Sequence, residues 1–450
     1  KIKDSNMAKS TEWGSRIGFI LASAGSAIGL GAIWKFPFWA GANGGGNFII
    51  PYIIFTFTIG VALLMAEASV GRAGRGSAVQ AMKKMGGPFF AIAGFIGVIS
   101  SFIILSYYSV VGGWCVSYLI GSLTNSVLSS DAETLKEGFA VLVSDPVKNV
   151  FWHFCFLTLT CGVVALGVEK GIERIAKFLM PLLFILMVVI LIRSLTFPGA
   201  MKGVEFLFAI HPETMSASTI LNALGFTFFS LSLGCGTIVT YGCYVKETTD
   251  IPSSSGWIAF LALLGSILSG LMILPAVFAF GLDPNAGPGL VFVTLPIVFD
   301  HFPGGAFFAV LFYICLLTAA LTSSISMLEV VIAYLGNEWN VRRPRGCFAC
   351  WIALFLFGCV SALSFGPWSD VKVFGKTLFD ALDFLSSNIL LPMGGLFIAL
   401  LTGWIAWPKF KEQLNYVKNR GTAYTTFIHA MVAIIAPIVV LLVIYQGCFA

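Results

Sequence analysis

The chain has 450 residues, 58% of them hydrophobic and only 10% charged, with a formal net charge of +5. Soluble domains carry about 25% charged residues, so a globular enzyme is excluded. Apolar stretches long enough to cross a bilayer recur along the whole length, which sets the class as an all-α polytopic membrane protein. A transmembrane barrel would show short alternating segments instead.

The charged start KIKDSNMAKSTEW runs into a segment too rich in glycine for the apolar core of a signal peptide, so no cleaved leader is expected. Eleven spans follow, at 15–42, 47–70, 89–123, 150–168, 173–196, 219–245, 254–281, 304–335, 346–366, 378–406 and 424–446. The third is long enough to tilt steeply or protrude. Between the seventh and eighth, GPGLVFVTLPIVFDHFPGG (287–305) is apolar but short and bounded by prolines, and reads as a re-entrant or capping hairpin. One transmembrane domain, 1–450, is expected, with a first repeat over about 15–196, a second over about 219–406 and an extra helix at about 424–446. The ten cysteines lie mostly inside apolar segments and read as small packing groups. CFAC (347–350) has redox spacing, but a lone CxxC at a basic membrane edge points to reduced thiols. The four scattered histidines suggest no metal cluster.

With the N-terminus inside, the inner segments hold 19 of the 26 Lys and Arg residues. The outer ones hold six (Lys136, Lys148, Arg193, Lys202, Lys372 and Lys376), and Lys35 lies within the first span. The positive-inside rule then predicts a cytoplasmic N-terminus and an extracytoplasmic C-terminus. Topology accounts for the net charge, so no nucleic-acid partner is implied, and no obligatory protein partner is evident.

The first span is interrupted by GSAIGLGA and the sixth by SLSLGCGT, five spans apart, so the second five would insert upside down relative to the first. Paired glycine-broken helices in two inverted halves point to a transporter binding site. The competing reading is close helix packing through small residues. A break near Gly29 and Gly31 would free carbonyls on one half-helix and N–H groups on the other, whose positive end welcomes an anion. Freed carbonyls and hydroxyls suit a hard cation, and irregular backbone is tolerated in a bilayer only where it lines such a cavity.

Three stretches carry a family resemblance: EWGSRIGFILASAGSAIGLGAIWKFPFWAGANGGGNFIIPYII (12–54), FFSLSLGCGTIVTYGCYV (228–245) and TAALTSSISMLEVVIAYL (318–335). They resemble the neurotransmitter:sodium symporter family, in its prokaryotic amino-acid transporter branch. The resemblance implies a 5+5 inverted-repeat core with helices 1 and 6 broken, an eleventh helix, and substrate and sodium at the midplane of a prokaryotic plasma membrane. It places one sodium ion on the carbonyls of Gly25, Ile28 and Ala319 and the hydroxyls of Thr322 and Ser323. Read alone, TSS in a helix is more often back-bonded to its own carbonyls.

A second sodium site looks degenerate. Relatives usually place asparagine where Ala32 stands and another in the seventh span, here the wholly apolar AFLALLGSILSG; Ala27 and Ser230 still offer oxygens. That span also lacks the acid that replaces chloride in many bacterial relatives, and Phe226 stands where chloride-dependent relatives have glutamine. Gly29 occupies the position of the aspartate of monoamine carriers, so the substrate is expected to bring its own carboxylate. By the same resemblance, Leu30 and Gly31 N–H and the Tyr108 hydroxyl would hold that carboxylate, and the carbonyls of Ala27 and Phe229 with Ser232 the amino group. The side-chain pocket would be Ile104, Tyr108, Phe229, Ser232, Cys235, Ser323 and Met327, with Cys235 leaving room for a medium or large apolar side chain.

Lys35 and Asp383 match the family's outer ion pair, with Phe229 as the lid. Trp13 matches its inner plug, but Ser10 and Asn337 replace an arginine and an aspartate, leaving Lys9 as the nearest substitute. Gly171 and Pro181 reproduce the family's Gly-x9-Pro spacing, where the fifth helix could unwind. Glu67 and Glu329 are embedded acids, read either as ties between helices or as proton carriers. The function expected is sodium-coupled symport of a neutral, predominantly hydrophobic amino acid by alternating access. The alternatives are a proton-coupled or single-sodium carrier of another zwitterion, and a sensor that no longer transports.

Overall fold

The computed structural model describes residues 12–283 and 290–449. Apart from one short hairpin, Lys372–Val373 against Lys376–Thr377, it is helical. Among the described residues nine helices are long and apolar enough to cross a membrane: Gly46–Gly74, Pro88–Leu123, Pro146–Ala165, Val168–Leu195, Ile251–Ala279, Gly305–Trp339, Arg343–Leu363, Leu378–Ile405 and Gly421–Cys448. A tenth is the pair Arg16–Ala27 and Gly31–Ala42, bent by 49°. The remaining expected span is two short helices, Ala217–Ser230 and Thr237–Cys243. All eleven spans therefore stand where apolar length placed them, and the two expected to break are broken.

Pro88–Leu123 is 36 residues, about 54 Å at 1.5 Å per residue, so it must tilt or project beyond a ~30 Å hydrocarbon layer. Its far end meets two helices that cap the bundle, Ala132–Ser144 and Leu290–Asp300. Phe139 stacks on Phe292 with centroids 5.4 Å apart, and Tyr118 packs edge-on to Phe292 at 5.0 Å. The expected hairpin over 287–305 thus becomes one short buried helix; its residues 287–289 lie outside the described residues.

The centre of the bundle lies where spans 1, 3, 6 and 8 converge. Span 8, Gly305–Trp339, buries an unbroken run from Thr322 to Ala333. That run includes Thr322, Ser323, Ser324 and Ser326, so its hydroxyls need partners inside the protein. Thr322, Ser324 and Ser326 bond carbonyls of their own helix, while Ser323 bonds the freed backbone of span 1.

Candidate functional site

In an unbroken helix Leu30 N–H would donate to the Ser26 carbonyl, four residues back. Instead it donates to Tyr108 Oη at 3.1 Å. The Ser26 carbonyl accepts from Ser323 Oγ at 2.9 Å and from Ser232 Oγ at 3.0 Å. Spans 3, 6 and 8 thus replace the pairing that span 1 gives up. A Cβ at Gly29 would run into Ser323 Oγ and Tyr108 Oη, and one at Gly31 into the Phe229 ring. Close approach, not an unusual φ, is what requires glycine at these two positions.

Span 6 ends its first helix at Ser230 and resumes at Thr237, with Ser232 at φ 52° and Gly234 at φ 80° between. A serine in the left-handed region costs on the order of 1 kcal/mol, and here that geometry aims its hydroxyl at span 1. Gly234 N–H donates to Glu67 Oε1 at 2.8 Å, so the buried Glu67 ties span 2 to the broken segment.

Between the two breaks lies a cavity of about 250 Å³. Its wall includes Ala27, Gly29, Leu30, Gly31, Ile104, Tyr108, Phe229, Ser232, Cys235, Ser323 and Met327, each read from the sequence as a substrate contact. Ser230, expected with Ala27 to offer an oxygen to the site, is the exception. At the end of the first half-helix its hydroxyl turns away, donating to the Thr227 carbonyl (3.2 Å) and accepting from Tyr52 Oη (3.1 Å). Ser26, Trp34, Val111 and Leu391 also line the wall and were not anticipated. The acids on the wall, Asp380 and Asp383, belong to span 10 beside Lys35, so the end formed by the helix breaks carries N–H and hydroxyl groups without a carboxylate.

The expected sodium ligands fall on facing segments. A Cβ at Gly25 would lie 3.0 Å from both Thr322 Cβ and Met180 Sδ, and Ser323 Oγ donates to the Gly25 carbonyl at 3.2 Å. Ile28, at ψ 62°, turns its carbonyl out of the helical ladder. Thr322 Oγ1 donates to the Ala319 carbonyl at 3.0 Å and to that of Thr318 at 3.2 Å, the back-bonded arrangement. This donor set is all oxygen and uncharged, which suits a hard monovalent cation. No group of three His, Cys, Asp or Glu among the described residues could hold a metal. Around Ala32 the missing amides give way to hydroxyls: Ser269 Oγ donates to the Ala32 carbonyl at 2.6 Å, and Tyr52 Oη meets Ser266 Oγ at 3.1 Å.

On one side of the cavity Lys35 Nζ stands 3.7 Å from Asp383 Oδ1 and 4.2 Å from the Phe229 ring centroid. Asp383 also accepts from Tyr107 Oη and Ser387 Oγ, both at 3.0 Å. On the other side Trp13, only 2% exposed, donates from its backbone to the Tyr244 carbonyl (3.0 Å) and from Nε1 to that of Tyr241 (2.9 Å).

Among the described residues no hydrogen bond or ion pair joins Asn337 to the N-terminal segment. Its amide donates to its own helix at Ala333 O (2.8 Å), while its carbonyl accepts from Gln80 Nε2 (3.1 Å). Lys9 and Ser10 lie outside the described residues. The ion pair present is Arg75 with Glu12, at 3.6 Å.

Glu173 is a second tie the sequence did not single out. Its carboxylate accepts from Gly14 N at 2.6 Å and Ser15 Oγ at 2.9 Å. Gly171 sits in a wide helical turn, Val168–Glu173, that leads directly into Arg174–Leu195, so the fifth helix is wound through to Pro181 and beyond. Glu329 is paired with Arg343 and accepts from Tyr244 Oη at 2.7 Å, a tie between spans. Cys347 and Cys350 are buried free thiols.

Comparison with known proteins agrees with this geometry. A model of the Sodium:neurotransmitter symporter family matches residues 10–134 and 145–449. An uncharacterized sodium-dependent transporter of Bacillus subtilis (strain 168) is 41% identical over 438 residues, 97% of each chain. Another, of Haemophilus influenzae, is 34% identical over 452 residues, 97% of this chain and 98% of the relative. The crystal structure of MhsT in complex with L-phenylalanine superposes with a TM-score of 0.90 at 38% identity, covering 98% of this chain and 100% of that one.

Proposed function

The chain belongs to the sodium:neurotransmitter symporter family, and from that premise we propose that it imports a neutral, predominantly apolar amino acid, with one well-formed sodium site, by alternating access. It is a polytopic protein of a prokaryotic plasma membrane, and it couples transport to sodium. The lysine and arginine asymmetry supports a cytoplasmic N-terminus, which makes the Lys35–Asp383 side the outer one and the Trp13 side the inner one.

One observation carries the substrate assignment. The N–H of Leu30 and the hydroxyl of Tyr108 meet where span 1 restarts, at an end of the cavity without an acid. A substrate carboxylate there accepts from both groups and from the positive end of the second half-helix. Its amino group reaches the carbonyls of Ala27 and Phe229 and the Ser232 hydroxyl. The apolar wall of Ile104, Cys235 and Met327 takes the side chain. L-Phenylalanine, the ligand of the structural relative, is the first compound to try.

Sodium on Gly25, Ile28, Ala319, Thr322 and Ser323 bridges spans 1 and 8 and stabilises the form open to the outside. Phe229 and the Lys35–Asp383 pair then close above the solute. The lower path opens when span 5 unwinds between Gly171 and Pro181 and withdraws Met180 from Gly25. The membrane potential contributes about 2.3 kcal/mol per charge per 100 mV. The test is equilibrium binding of a panel of amino acids to purified protein, with sodium and with potassium in its place. Sodium-dependent binding of large neutral amino acids is expected; a flat response to every neutral amino acid would defeat the assignment.

A further inference from the structure

At the end of the bundle where Trp13 sits, a cleft of about 920 Å³ opens between spans 2, 6 and 8 and the turn before span 9. Its wall carries Arg75, Lys84, Arg342 and Arg343. Two of these are compensated, Arg75 by Glu12 at 3.6 Å and Arg343 by the buried Glu329. The other two are not. Lys84 Nζ donates to the Gly74 carbonyl at 2.8 Å, and among the described residues neither Lys84 nor Arg342 has a carboxylate within ion-pair distance. By count residues 1–11, which lie outside the described residues, add Lys1, Lys3 and Lys9 against Asp4. Cations gathered round one cavity and short of counter-charge need an anion from outside the chain.

We propose that this cleft binds a phosphate-bearing anion, the headgroup of an acidic phospholipid in the facing leaflet. A phosphate diester presents several acceptor oxygens to a guanidinium and an ammonium together. Basic pockets between spans on the positively charged side of a membrane protein suit such headgroups. The rim favours a lipid over a free ion. Leu166 and Trp339, each immediately before a residue of the cleft wall (Gly167 and Asn340), are 63% and 66% exposed, which is where acyl chains would lie.

Native mass spectrometry of the detergent-solubilised protein tests this, with phosphatidylglycerol, phosphatidylcholine and inorganic phosphate as separate probes. One phosphatidylglycerol should be retained well below the concentration at which further lipids bind. The double variant Arg342→Gln/Lys84→Gln should weaken that first event about 30-fold, from about 1 kcal/mol for each basic residue. Lys411→Gln/Lys418→Gln, with the same charge change on the same face but outside the cleft, should leave it in place. The charge-preserving pair Arg342→Lys/Lys84→Arg should retain it, which separates lost charge from lost fold. Equal weakening by both glutamine pairs would reduce the site to general surface charge and overturn the proposal. So would equal retention of phosphatidylcholine, or displacement of the lipid by inorganic phosphate at matching concentration.

Discussion

Replacing Tyr108 by phenylalanine removes one oxygen from the cavity and leaves its shape almost unchanged. That oxygen accepts from Leu30 N–H at 3.1 Å. With a substrate carboxylate held as proposed it would donate to that carboxylate, and Leu30 N–H would turn to the carboxylate as well. A hydrogen bond to a charged group contributes about 1.5–3 kcal/mol, which corresponds to about 10- to 150-fold in dissociation constant. The variant also strands Leu30 N–H when the site is empty, which destabilises the free form and offsets part of the loss. The lower half of that range, about 10- to 40-fold, is therefore expected. The assay is equilibrium binding of L-phenylalanine at saturating sodium, with the sodium concentration for half-maximal binding measured in parallel. The sodium requirement should hold within about twofold, because none of the five proposed ion ligands is touched. An unchanged affinity in Tyr108→Phe would refute the placement of the carboxylate at the span 1 break. An equal loss in both titrations would show that the substitution disturbs the break itself.

Ser323→Ala removes a proposed sodium ligand that also bonds the Gly25 and Ser26 carbonyls. Half-maximal uptake should require about tenfold or more sodium, at about 1.5 kcal/mol for the lost contact, read from sodium titrations in proteoliposomes. Trp13→Ala empties a site where a ring only 2% exposed donates to the Tyr241 carbonyl of span 6. Losing about 3–5 kcal/mol of packing from the closed form should raise maleimide labelling of the neighbouring, 4%-exposed Cys243 by tenfold or more, followed by mass spectrometry; unchanged labelling would mean that Trp13 is no plug. Pro181→Ala supplies the N–H that span 5 lacks toward the Lys177 carbonyl. At about 1 kcal/mol for one backbone bond, turnover should slow about fivefold while the dissociation constant for substrate stays put.

Much of this was legible because membrane spans announce themselves by length and apolarity. The two interruptions were legible because glycine clusters are rare inside such lengths. What GSAIGLGA does not reveal is which property of glycine is used: Gly29 and Gly31 are required by the side chains of Tyr108, Ser323 and Phe229, which come from other spans. The same blindness misplaced Ser230. Whether a hydroxyl at the end of a half-helix faces the cavity or Tyr52 depends on where the helix stops, within one residue, and periodicity does not resolve that. The Asn337 side chain was equally hidden, since a position matching a gate residue says nothing of an amide that bonds its own helix at Ala333. Glu173 stayed hidden although it lies between Gly171 and Pro181, because its partners Gly14 and Ser15 lie 159 and 158 residues away in the chain.

The Ser323 hydroxyl is the point at which ion and solute would be coupled. It donates to the carbonyls of Gly25 and Ser26, and it stands against Gly29 where the substrate cavity begins. A sodium ion held as proposed on the Gly25 carbonyl would take over the role of that donor, so the hydroxyl would rotate to present its oxygen to the metal. Its proton then points elsewhere, and the Ser26 carbonyl keeps Ser232 as its partner. Ion binding in this scheme shifts the hydrogen-bond allegiance of span 1 from span 8 to span 6, the span that carries Phe229 over the solute. Ser232→Ala, which removes the partner that remains, should therefore weaken the dependence of substrate affinity on sodium more than it weakens affinity itself. A Ser232→Ala protein with the full sodium effect on substrate affinity would show that the coupling runs through another contact.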